Sequence, residues 1–173
     1  MNLPNPTDTM FWRQRFTEHI RFDRSYAFNG DLSEHPSLAA VALQLIISLN
    51  ATRECFFAAL PYGTGDINMM NDLLVEAARC NHVDFLDELL VYADPLFYNS
   101  MALQQAVASN SVECVNALYD LSDPLAALQA LKTHGIPSTL LEQIIAEREA
   151  QAQHQRIAKE VEAHPSILRA RKM

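Results

Sequence analysis

Leu74-Val-Glu-Ala-Ala-Arg-Cys-Asn-His-Val-Asp-Phe-Leu-Asp-Glu-Leu-Leu-Val-Tyr-Ala-Asp-Pro95 returns 29 residues later as Leu103-Gln-Gln-Ala-Val-Ala-Ser-Asn-Ser-Val-Glu-Cys-Val-Asn-Ala-Leu-Tyr-Asp-Leu-Ser-Asp-Pro124. Leu74 answers to Leu103, Ala77 to Ala106, Asn81 to Asn110 and Asp94-Pro95 to Asp123-Pro124. A period of this length marks stacked supersecondary units, each too small to bury its apolar face alone. Apolar residues at three- and four-residue steps, broken at Asn81-His82 and Asn110, predict a helix, a break and a second helix in each copy.

Outward from this pair the signal weakens but persists. Ala127-Leu-Gln-Ala-Leu-Lys-Thr-His-Gly135 aligns with the stretch ending at Asn110, and Gly135 takes the break position. In residues 38–60, Asn50 takes it. Asn and Gly both accept the left-handed backbone that a helix C-cap needs. The pattern predicts four helix–break–helix units, two of them degenerate. It places helices at Leu38–Leu49, Glu54–Leu60, Met69–Arg79, Asp84–Tyr92, Met101–Ala108 and Val112–Leu121. Asp94-Pro95 and Asp123-Pro124 read as helix stops, because the residue before proline is pushed out of the helical region. A helix over about 10–28, capped by Asp8 or Thr9, leads in. It either continues past Phe22 or ends near Asp23, and Asn29-Gly30-Asp31 reads as a turn. A last helix starts at Pro137 and turns polar beyond Glu147, so its end has little to bury. The expected organisation is a lead-in and capping helix (1–32), a helical repeat array (33–145), and a polar extension with a loose basic tail (146–173). The fold class is all-α.

The repeat resembles the ankyrin repeat. The likeness rests on Leu74, Ala77 and Ala78 on a first helix, Asn81-His82 at the break, Val83, Leu86, Leu89 and Leu90 on a second, and Ala93-Asp94-Pro95. The 29-residue period is shorter than the family's, which is about 33. The connection Leu96-Phe-Tyr-Asn-Ser100 is too short for the family's hairpin finger. The resemblance implies a solenoid of degenerate, shortened units that acts as a protein-binding surface.

Composition bounds the rest. The chain has 173 residues, 49% hydrophobic, and only 4 glycines, which favours a compact helical protein. Residues 29–141 hold 3 Lys/Arg against 13 Asp/Glu, a net of −10. An acidic middle argues against direct binding to nucleic acid phosphates and for a partner protein with a basic surface, such as a nucleic-acid-processing protein. No stretch reaches about 18 consecutive apolar residues, so no membrane span is expected. Cys55, Cys80 and Cys114 lack framework spacing and fit free thiols in a reducing compartment. The expected location is the cytoplasm, or a host cytosol after delivery.

Candidate chemistry is thin. Cys80-Asn-His82 has two metal-type ligands where a structural zinc site needs four. A Cys80 or Cys114 nucleophile lacks a local orienting partner. Pro61-Tyr-Gly-Thr-Gly65 lacks the Gly-Lys-Ser/Thr of a phosphate loop. No cofactor is implied. The candidate partner-binding residues are Asp87, Glu88 and Asp120 on the acidic second helices, the loop aromatics Phe97 and Tyr98, and Gln104 and Gln105. Trp12 is a further possible anchor. The leading expectation is a non-enzymatic adaptor or inhibitor. Alternatives are an effector delivered into another cell, an oligomerising structural subunit, and a cysteine-dependent enzyme.

Overall fold

The computed structural model describes residues 8–163. Among them the chain is all-helical, with ten α-helices, two short 3-10 turns and no strand. The helices are α1 (Thr9–Arg21), α2 (Ser25–Glu34), α3 (Ala39–Ser48), α4 (Arg53–Ala59), α5 (Ile67–Arg79), α6 (Val83–Leu89), α7 (Phe97–Ala108), α8 (Val112–Tyr119), α9 (Pro124–Thr133) and α10 (Thr139–Ala163). No helix of the described part is long and apolar enough to cross a membrane.

The odd-numbered helices α1, α3, α5, α7 and α9 pack in succession, each on the next. Among the second helices, α2 packs on α4 and α6 on α8. Each pair is joined by the same turn. Asp23, Asn50, Asn81, Asn110 and Gly135 have φ of 49°, 51°, 58°, 54° and 67°. One residue later, the N–H of Arg24, Ala51, His82, Ser111 and Ile136 returns to the carbonyl of His19, Ile46, Ala77, Ala106 and Leu131, at 2.8, 2.9, 3.0, 2.8 and 2.9 Å. This six-residue closure is the Schellman motif, which satisfies carbonyls that a helix end leaves unpaired. The residues supplying those carbonyls are all buried. The Asn–Asn–Asn–Gly series read from sequence is therefore borne out in backbone conformation, and Asp23 adds a fifth member in front of it.

That fifth member decides between the two readings of the lead-in. The first helix ends near Asp23, which turns left-handed, and a separate helix follows. Asn29-Gly30-Asp31 lies inside α2 rather than in a turn. Local turn chemistry loses there to tertiary bonding. Phe28 and Leu32 are fully buried, and Asp31 is held by Arg15 Nη2 at 2.7 Å and by His19 Nε2 at 2.9 Å. Trp12 is also fully buried, so it is core rather than an exposed anchor. α2 crosses position 32, α10 runs unbroken through 145, and one core cluster extends from Trp12 to Ile144. The expected basic tail lies outside the described residues.

Asp123-Pro124 needs a second correction. It opens α9 rather than merely stopping α8: Asp123 Oδ1 accepts from the N–H of Leu125 and Ala126 at 3.1 and 3.0 Å, and Pro124 takes the first helical position. Proline suits that position because its missing N–H would be unpaired anyway.

Candidate interaction edge

Each first helix is followed by a returning second helix, so the N-termini of the first helices share one edge of the stack. Aspartates cap α1, α5 and α9, Asp94 stands in the turn before α7, and α3 has no side-chain cap. Asp8 accepts from Phe11 N–H at 3.1 Å, and Asp66 from Asn68 and Met69 N–H at 3.0 and 3.2 Å. Asp94 accepts from Leu96 N–H at 2.9 Å, and Asp123 closes the series. A carboxylate here satisfies orphan donors and meets the positive end of the helix dipole. One or two residues after each aspartate stands an exposed apolar side chain: Met10 (83% exposed), Ile67 (51%), Leu96 (55%) and Leu125 (67%). Val91, Tyr98 and Leu121, in or beside the connections that lead to α7 and α9, are also exposed. The two connections run side by side, since Ser122 Oγ donates to the Pro95 carbonyl at 3.4 Å. Clustered exposed apolar side chains with a polar rim characterise interaction surfaces.

Among the described residues no cation pairs with the aspartates of this edge. The cations of residues 29–141 are engaged elsewhere: Arg53 with Glu88 at 2.9 Å, Arg79 with Glu76, and Lys132 with Glu142 at 2.9 Å.

Comparison with known proteins adds no relative. No protein-family model, curated protein or solved structure matches the chain. The site's own geometry is what bears on function.

The expected site residues divide into two groups. Phe97, Tyr98 and Gln104 converge on one turn. Tyr98, Asn99 and Ser100 have φ of 45°, 55° and 62°, three consecutive left-handed residues without glycine. Each such residue costs about 1–2 kcal/mol. Gln104 Nε2 offsets part of this by donating to the carbonyls of Tyr98 and Asn99 at 3.2 and 2.8 Å. Phe97 is half-buried and packs edge-on against Tyr98, with ring centroids 4.4 Å apart, while Tyr98 is held 72% exposed. Gln105, on α7, is half-buried.

The carboxylates form the other group. Asp87 is exposed on α6, Glu88 is half-buried under Arg53, and Asp120 at the end of α8 faces Arg148 at 3.7 Å. Other recurrent acids have local roles. Glu54, Asp84 and Glu113 each occupy the first turn of a second helix, and Glu113 also accepts from Asn81 Nδ2 at 2.8 Å. The recurrence of acids on second helices is thus partly helix-end electrostatics.

The sequence reading named Phe97 and Tyr98 but missed Met10, Ile67 and Leu125. The signal was present as Asp94-Pro95-Leu96 and Asp123-Pro124-Leu125, where an aspartate is followed by a leucine with no helix beneath it to cover it.

The thiols are poorly placed for nucleophilic chemistry. Burial pushes all three up, Cys114 to about 11. Cys80 Sγ lies 3.7 Å from Glu76 Oε1, whose charge adds to the effect. His82 packs edge-on against Phe85 at 5.7 Å. Among the described residues no group of three or more His, Cys, Asp or Glu could hold a metal ion.

Proposed function

We propose that this protein is a non-enzymatic protein-binding module, an adaptor or inhibitor. In this reading it is a degenerate ankyrin-like stack that engages a basic partner along the edge of aspartates and apolar side chains. The observation that carries the proposal is the repeated pairing of an aspartate that accepts a local backbone N–H with an exposed apolar residue, at Asp66/Ile67, Asp94/Leu96 and Asp123/Leu125. Apolar contacts supply affinity, and the edge carboxylates select a partner segment whose own apolar residues alternate with Lys or Arg. The five identical turns support the repeat reading, because they give every unit the same exit geometry. The raised thiols favour a binding protein over a cysteine enzyme.

The test is co-purification from the native cell with the wild-type chain and with Leu96→Glu/Leu125→Glu. Both leucines are exposed, so the double variant keeps its helical content and midpoint of unfolding. It should lose the main partner by at least tenfold. Retention of that partner by a folded double variant removes the edge from the proposal. Charge reversal at Asp87, Glu88 and Asp120 tests the second-helix acids separately.

A further inference from the structure

The exposed apolar residues of the edge keep the period of the repeat. Ile67, Leu96 and Leu125 follow one another at steps of 29 residues and are 51%, 55% and 67% exposed. Leu38 would begin the row one period earlier, but it is buried at the entry to α3. The row therefore spans three levels, α5, α7 and α9, which pack in that order. Tyr92 and Leu121 form a shorter row with the same 29-residue step, on the connections that lead to α7 and α9, and are 38% and 49% exposed.

Equal steps in sequence become equal steps in space, because each level repeats the helix, turn and helix of the last. Packed helices lie about 8–10 Å apart. An occupant that touches successive levels must offer its contacts at that spacing and on one side. An α-helix does so: it rises about 10.5 Å in seven residues, and residues seven apart are only about 20° out of line. Residues three or four further on share that side and reach the second row. An extended strand does not fit. Its residues on one side recur at about 6.6 and 13 Å, and those about 10 Å apart point to opposite sides. The three levels belong to residues 29–141, with 13 Asp/Glu against 3 Lys/Arg, and the whole chain stays at −8 with all 13 Lys and Arg counted. The occupant that suits this field carries cations.

We propose that the edge receives a cationic amphipathic α-helix of a partner protein, lying across α5, α7 and α9. Its apolar residues stand at seven-residue intervals against Ile67, Leu96 and Leu125, with Lys or Arg beside them. This rests on the reading of the edge as a binding surface and specifies the form of its partner. The apolar and cationic groups then alternate between turns of one helix, not between neighbours in sequence.

The experiment uses the full chain and two fluorescent synthetic peptides of one composition, Leu, Lys and Ala, each about 18 residues or five helical turns long. In the first, Leu recurs at seven-residue steps, each followed by a second Leu three residues on. In the second, the same leucines stand at alternate positions. The first should bind about tenfold more tightly and gain helical circular dichroism on binding. Leu96→Glu/Leu125→Glu, which keeps the wild-type unfolding midpoint because both side chains are exposed, should weaken it about tenfold. Ile67→Glu should weaken it too, since the helix reaches the third level. Equal or tighter binding of the second peptide, lost when both leucines are changed, overturns the helical occupant and leaves the edge intact. Binding that survives the leucine changes, or binding of neither peptide, overturns the edge as well. Glu in place of every Lys of the first peptide should abolish binding, and equal binding overturns the cationic requirement. A mass of the chain that doubles with concentration, and only while Leu96 and Leu125 are present, places a second copy on the edge and overturns a foreign helix.

Discussion

Asn71 Oδ1 accepts a hydrogen bond from the backbone N–H of Asp94 at 2.7 Å. One period later, Ser100 Oγ accepts from the N–H of Asp123 at 2.8 Å. Asn71 and Ser100 are both buried, and each pins the aspartate that opens the next connection. The same bond is made from different backbones, since Asn71 lies within the right-handed α5 and Ser100 has φ 62°. The repeat preserves an acceptor at this position rather than a residue type.

Removing the acceptor should therefore hurt at both places. Asn71→Ala and Ser100→Ala each leave a partly buried N–H unpaired, and each should cost about 1–3 kcal/mol. Asn71→Asp keeps the acceptor and should cost less. Urea unfolding followed by far-UV circular dichroism measures the difference. Equal losses for Asp and Ala at position 71 would show that the hydrogen bond is not what matters there.

Backbone handedness gives a second expectation. Gly135 has φ +67°, and a Cβ there would meet nothing within 4 Å. Gly135→Ala should thus cost only the left-handed penalty, about 1–2 kcal/mol, with no steric term. Asn50→Gly should be neutral or stabilising and Asn50→Val destabilising, since a β-branched residue resists φ near 51°. The thermal midpoint of Asn50→Gly should lie at or above that of the wild type, and those of Asn50→Val and Gly135→Ala below it.

Gly63 is required for a different reason. Its φ is negative, but a Cβ would lie 2.6 Å from Met69 Cε and 2.8 Å from Leu43 Cδ1. Leu43 is fully buried, so it has little room to yield. Gly63→Ala should destabilise by about 1–3 kcal/mol through overpacking. Gly65→Ala, with open space around it, should not. A denaturation midpoint unchanged by Gly63→Ala would mean that the methionine absorbs the contact.

The Arg15–His19–Asp31 cluster makes the first unit sensitive to acid. Burial by itself would raise the Asp31 pKa, but hydrogen bonds from Arg15 and His19, with the Arg15 charge, hold it below the usual carboxylate range. A carboxylate depressed in the folded state contributes stability above its unfolded pKa, about 3.9, and loses it as pH falls through the folded value. Stability of the wild type should therefore drop below about pH 4. Asp31→Asn should flatten that acid limb. At neutral pH it should cost about 2–3 kcal/mol, less than a fully buried pair because the Arg15 side chain is 36% exposed. Urea midpoints between pH 3 and 7 test both parts.

The Gln104 contacts predict where the stack opens first. Gln104→Ala removes two hydrogen bonds from the left-handed turn and should raise amide hydrogen exchange at residues 97–100 while sparing α5. Asn99→Gly, which relieves part of the turn's cost, should lower it.

By itself the sequence determined the helices after residue 38, the turns between them and their period. Those features depend on local chemistry: apolar spacing of three and four, and Asn or Gly where the backbone turns left-handed. The same local rules misread Asn29-Gly30-Asp31, because Arg15 reaches Asp31 from another helix and outweighs the turn preference. Tertiary structure alone decided that α1 and α2 form a fifth pair. It also decided that Arg53, Arg79 and Lys132 are engaged with Glu88, Glu76 and Glu142 rather than with the edge aspartates. Which charges remain free, and which leucines remain uncovered, depends on what lies opposite each side chain. That is fixed only when distant helices pack.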